Sequence, residues 1–266
     1  MREIRALIRA AALTASSYRL GMVMSLVGLA TVVVPLYFIA TALQPVMAEA
    51  IAAESQQYFA FVVLGAMTFS LVSVSATSLP SAIENAIGRG TLEMVLGTPA
   101  RLPSIVVGLM GYGVLWALLR ASILVTVGIT LGAPLFGLAL LPAAGILALT
   151  MLAYAGVGLM LAACILVFRT AGPIAPILLT GSMFLGGVYY PTRVIPSWLR
   201  DVGESLPLTY GLRALRQVLL RDAALPTVAW DVTVLLMMTM ALLIAGSVAF
   251  ILALRRARRA GTLSTY

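Results

Sequence analysis

Long apolar runs separated by short polar segments dominate the chain. Six stretches are mostly apolar and near the ~20 residues that a helix needs to cross the hydrocarbon core of a bilayer: 20–43, 58–79, 102–131, 138–168, 173–189 and 232–254. The third is long enough to tilt, and the fifth is the shortest, with Pro173 and Pro176 at its start. The polar segments carry a second, finer pattern. In residues 1–17, Ile4, Leu7, Ile8 and Ala11 form a stripe while Arg2, Arg5 and Arg9 project elsewhere, which predicts an amphipathic helix lying on an anionic leaflet; a basic tail is the alternative. This segment does not read as a cleavable signal, because no short apolar core with a small-residue cleavage site follows it. Between the fifth and sixth runs, Leu208, Leu212, Leu215 and Leu219 recur on one helical face, with Arg213, Arg216 and Gln217 on the other side. Two short amphipathic helices after a short span predict a re-entrant or interfacial hairpin over 189–231. Tyr189, Tyr190 and Trp198 suit interface depth.

Composition turns this pattern into a fold class. The chain is 62% hydrophobic and 10% charged, against about 45–50% and about 25% for a soluble domain. It is expected to be an all-α integral membrane protein. The expected order is an interfacial helix (1–19), a six-helix membrane domain (20–254) and a basic tail (255–266). Arginine placement orients it. With both termini in the cytoplasm, the inner segments hold eleven arginines and the outer ones five. The first outer loop has Glu49 and Glu54 and no arginine. The outer exceptions, Arg193, Arg200, Arg213, Arg216 and Arg221, all fall in 190–231, which predicts a structured segment there.

Several chemistries are excluded by what the chain lacks. All 17 basic residues are arginine and there is no histidine, so there is no Schiff-base lysine, histidine base, histidine metal ligand or P-loop lysine. The single cysteine, Cys164, stands in an apolar run and reads as a small buried hydrophobe. No carboxylate falls inside a span, so proton- or sodium-coupled transport has no relay, and energy must come from elsewhere. Arg120 is the one charge placed at membrane depth. It either faces an interior cavity, where it would meet an anionic lipid or substrate group, or snorkels or bonds a backbone carbonyl.

The inner loop over 80–103 carries its own signals. Gly88 and Gly90 interrupt the preceding helix, Thr91 is a suitable N-cap, and Glu93 lies in the first turn, where the helix dipole favours an anion. Gly97 and Pro99 end the element, and Leu92, Val95 and Leu96 offer a compact apolar face. Such a helix acts as a lever for a cytoplasmic partner, or is a capped turn lying against the bilayer.

Glu84…Gly90-Thr91-Leu92-Glu93…Thr98-Pro99 resembles the inner-loop motif of type-2 ATP-binding-cassette (ABC) exporter permeases. Gly186-Gly187-Val188-Tyr189-Tyr190-Pro191…Ile195-Pro196-Ser197-Trp198-Leu199…Leu206-Pro207-Leu208-Thr209-Tyr210…Leu215-Arg216 resembles the segment before that family's last span. The resemblance implies a half-transporter in the cytoplasmic membrane of a bacterium, working as a pair of permeases. Glu84, Gly90, Thr91, Leu92, Glu93, Val95 and Leu96 would couple it to a cytoplasmic ATPase. The hairpin, with Tyr189, Tyr190, Pro191, Pro196, Trp198, Pro207 and Arg216, would cap the outer side of the pathway. ATP and Mg would sit on the partner, with no cofactor, metal or nucleic acid on this chain. The expected partners are the ATPase, a second permease copy and membrane lipids.

Three function classes follow. The first is an exporter of an amphipathic, drug-like or lipid-like molecule, or of a polysaccharide or glycolipid, the latter disfavoured by an aromatic content of only 8%. The second is a membrane scaffold that moves nothing. The third, an intramembrane enzyme, lacks the histidines or paired aspartates it would need.

Overall fold

The structure is a computed structural model that describes residues 19–90, 102–132, 140–168 and 174–259. Among these there are eight α-helices and no strand: α1 (Arg19–Ile51), α2 (Tyr58–Gly88), α3 (Leu102–Thr130), α4 (Leu140–Phe168), α5 (Ile174–Leu185), α6 (Ser197–Gly203), α7 (Pro207–Leu220) and α8 (Ala229–Arg259). Short 3-10 turns at Thr192–Val194 and Leu225–Val228 join the later helices. The expected N-terminal amphipathic helix, most of the inner loop and the end of the basic tail lie outside the described residues.

α1, α2, α4 and α8 contain segments long and apolar enough to cross a membrane. α3 runs for 29 residues, about 43 Å at the helical rise. α5 differs from the expected crossing over 173–189. It has 12 residues, about 18 Å, which is short of the ~30 Å hydrocarbon core, yet the parallel run of α4 and α8 still requires the chain to return across the bundle between them. α1 and α2 also outrun their hydropathic limits. α1 continues to Ile51, and α2 passes through Pro80 to Gly88, taking the first part of the expected inner loop into the helix. Pro80 cannot donate to the carbonyl of Ala76. Gly158 of α4 approaches that carbonyl so closely that a Cβ would lie 2.8 Å from it.

α2 is the central helix, packing on α1, α3, α4 and α7. At the end nearest the hairpin, Phe59, Phe61 and Leu64 of α2 share one core with Ile146 of α4 and Leu215 and Val218 of α7. A second core joins Leu79 and Ile83 of α2 to Leu166 of α4 and Phe250 and Leu254 of α8. α4 and α8 lie side by side and run parallel. The Thr239 hydroxyl donates to the Leu149 carbonyl (3.3 Å), and two turns further on Gly246 abuts the Gly156 carbonyl. A Cβ on Gly156 would lie 2.6 Å from the Leu242 carbonyl carbon. Lipid tails are as apolar as leucine, so close van der Waals approach through small residues is what holds such a pair.

Candidate functional site

α5 ends because Gly187 adopts φ +79°, a conformation open to glycine at little cost. The Gly186 N–H donates to the Ser182 carbonyl (2.9 Å) and the Val188 N–H to the Met183 carbonyl (3.3 Å). The turn leaves the carbonyls of Gly187 and Val188 aimed into the protein. α7 then starts at Pro207, at a position where its missing N–H costs nothing. Leu208, Leu212 and Leu215 are buried as expected, and Leu219 is half-buried.

Arg216 departs from the expectation. The spacing places it on the polar side of α7, yet its side chain is 2% exposed. Its Nη1 donates to Glu54 Oε2 at 3.0 Å, and its Nη2 donates to the carbonyls of Gly187 (2.9 Å), Val188 (3.0 Å) and Phe61 (3.4 Å). The guanidinium lies 3.4 Å from the centroid of the Phe61 ring. Burial pushes the Arg216 pKa down to about 10 while Glu54 opposes the shift, so the group is charged at neutral pH. A buried ion needs this kind of enclosure. Uncompensated, it would cost several kcal/mol.

Other contacts bind the hairpin to the helix ends around it. The Tyr58 hydroxyl donates to the Tyr189 carbonyl (2.9 Å). Arg193 donates through Nε to the Ala50 carbonyl (2.6 Å) and through Nη2 to the Glu49 carbonyl, both in the last turn of α1. Arg213 pairs with Asp231 at the start of α8 (3.2 Å). The Gln44 side chain accepts from the Tyr58 N–H (2.6 Å) and donates to the Gln56 carbonyl (3.2 Å), fixing the turn that presents Glu54. Gly65 lets α2 meet the hairpin, since a Cβ there would collide with the Val188 carbonyl and lie 3.0 Å from Arg216 Nη2. Together these contacts tie the hairpin as a cap to the ends of α1, α2 and α8.

Of the hairpin residues chosen from sequence, Arg216, Tyr189, Pro191 and Pro207 belong to this packed cap. Tyr190 is half-buried, its phenol pKa raised by burial. Pro196 is exposed and Trp198 is 67% exposed, so they lie on the rim. Glu84 is exposed near the end of α2, and Gly90 takes φ +64° just beyond it. Thr91, Leu92, Glu93, Val95 and Leu96 lie outside the described residues. Arg120 is half-buried on α3, with its guanidinium 5.8 Å from the Trp116 ring centroid. Sequence reasoning did not select Glu54, Phe61 or Gly65. One signal was legible: Arg216 follows Leu212 by four residues, at the edge of the leucine face.

The family model described as ABC-2 type transporter matches residues 1–220. Nodulation protein J of Rhizobium leguminosarum bv. viciae is 29% identical over 168 residues, covering 61% of this chain and 63% of the relative. Nodulation protein J of Rhizobium leguminosarum bv. trifolii is 27% identical over 164 residues, covering 61% and 62%. The match thus spans less than two thirds of these relatives' length.

Proposed function

The chain belongs to the ABC-2 type transporter family, and from that premise we propose that it is the membrane-spanning half of an exporter, moving an amphipathic drug-like or lipid-like molecule outward. A separate cytoplasmic ATPase subunit, carrying ATP and Mg, supplies the energy, as members of the family generally work with such a subunit. Two permease copies form the pathway between them, in the cytoplasmic membrane of a bacterium. The observation that carries this reading is the family match, which runs through the 90–96 segment and through the hairpin as far as residue 220.

N-in, C-in topology puts the Arg216 cap outside and the 90–96 segment inside. The arginines in 190–231 are the exceptions in the charge count. Arg193, Arg213 and Arg216 are engaged in the fold through α1 carbonyls, Asp231 and Glu54. The support for this topology is the charge count itself, eleven inner arginines against five outer ones.

The test is a mild-detergent pull-down of the tagged chain from its own host. It should bring down an ATPase at about one copy per permease, the ratio expected if each half-transporter docks one motor subunit. Recovery without any nucleotide-binding partner, under conditions that keep other membrane complexes intact, would replace the transporter with a scaffold. Uptake of fluorescent phospholipid against labelled oligosaccharide into inverted vesicles then separates the two cargo classes.

A further inference from the structure

Beyond the tight crossing at Gly156 and Gly246, the parallel helices α4 and α8 leave an open groove of about 310 Å³ outside the cap. Small side chains create it. Ala163 of α4 and Ala249 and Ala253 of α8 face it, while Val167, Phe168 and Leu252 stand as larger walls. Phe168 is 71% exposed and Leu252 58%, so the groove opens towards whatever surrounds the bundle. On α4 the lining runs from Met160 to Phe168, about 12 Å along the axis, against the ~15 Å of one leaflet's hydrocarbon. The lining is apolar except at one end, where Arg256 supplies a charge. Arg255 and Arg259 are exposed beside it on the last turns of α8.

We propose that the groove between α4 and α8 holds an acyl chain of an anionic phospholipid whose phosphate pairs with Arg256. The two ends of the groove call for one amphipathic occupant. An acyl chain fits a narrow apolar trough open to the bilayer, and a cation at the membrane surface selects a lipid with net negative charge over a zwitterionic one. A free anion would leave the trough unused, and a zwitterionic lipid would bring a phosphate already offset by its own cation. With the C-terminus in the cytoplasm, the occupant comes from the inner leaflet. The site does not depend on which cargo moves or on the ATPase, so its test stands apart from theirs.

The test uses the full chain in phosphatidylcholine nanodiscs doped with a lipid bearing a photoactivatable diazirine in its acyl chain. The headgroup is either phosphatidylglycerol or phosphatidylcholine, and adducts are mapped by mass spectrometry. Wild-type adducts on 160–168 and 249–256 should be roughly fivefold more abundant from phosphatidylglycerol, the scale of one arginine at a charged surface. Arg256→Gln should reduce them to the phosphatidylcholine level, while Arg255→Gln, outside the lining, should keep the preference. Ala249→Phe, at a half-buried lining position, fills the trough and should remove groove adducts from both lipids. Equal labelling of the wild type by the two headgroups overturns the proposal. So does loss of preference in Arg255→Gln as large as in Arg256→Gln, which would mean diffuse attraction to the basic end. Adducts unchanged by Ala249→Phe would place the chain elsewhere and have the same force.

Discussion

At the residue scale the cap depends on one ion pair with unequal surroundings. The Arg216 side chain is 2% exposed and that of Glu54 16%, so removing either partner has a different consequence. Glu54→Leu leaves the guanidinium buried with carbonyls alone and should cost about 3–5 kcal/mol. Arg216→Met removes the buried charge together with its partner's need for it. The double variant Glu54→Leu/Arg216→Met should therefore recover part of the single Glu54→Leu loss, read from thermal unfolding in mild detergent. Additive losses would mean that the pair does not couple the first loop to the hairpin. Gly65 is the second point of contact. Its lack of a side chain sets how near α2 comes to the hairpin turn, a constraint that no local propensity expresses.

At the element scale, helices that hydropathy treats alike have different tasks. α2 is largely buried inside the protein, whereas the spanning segments of α1 and α8 leave most of their residues uncovered. All three read as apolar runs, because lipid and protein interior place the same demand on side chains. What separates them is packing by small residues. Two glycines of α4 give a contrast within one helix. A Cβ at Gly156 would press on the α8 backbone, and one at Gly145 meets nothing within 4 Å. Gly156→Ala should destabilise by about 1–3 kcal/mol, while Gly145→Ala should be neutral or stabilising by up to about 1 kcal/mol. Equal melting temperatures for the two variants would contradict the close α4–α8 crossing. The hairpin shows the same division. The leucine spacing of α7 announced its helix and buried face, but not that Arg216 would turn inward beside those leucines.

For the whole molecule, the proposed arrangement separates a motor-facing segment from the packed cap. In a Cys164→Ala background, Ser197→Cys in the exposed start of α6 should react with an impermeant maleimide in intact cells. Arg259→Cys at the end of α8 should react only after permeabilisation. The reverse pattern would invert the topology and place the cap on the cytoplasmic side. Glu93→Arg should leave assembly with the ATPase intact while uncoupling ATP hydrolysis from transport, measured on the reconstituted complex. Coupled transport at the wild-type level would remove the 90–96 segment as the lever.

What the sequence determined by itself is local or additive. Apolar runs of membrane length set the helical membrane class, since each helix satisfies its own backbone in lipid. The absence of lysine and histidine removed whole chemistries, and two loop motifs pointed to the family that the match over 1–220 supports. Tertiary structure decided what depends on residues far apart. Glu54 and Arg216, 162 positions apart, become partners only when the α1–α2 turn and α7 arrive at the same place. The carbonyls of Gly187 and Val188 become ligands of the guanidinium only because α5 stops after 12 residues and turns inward. A one-dimensional pattern records which side chains are apolar. It does not record which polar group can be buried, because that depends on whether folding delivers the acceptors to meet it.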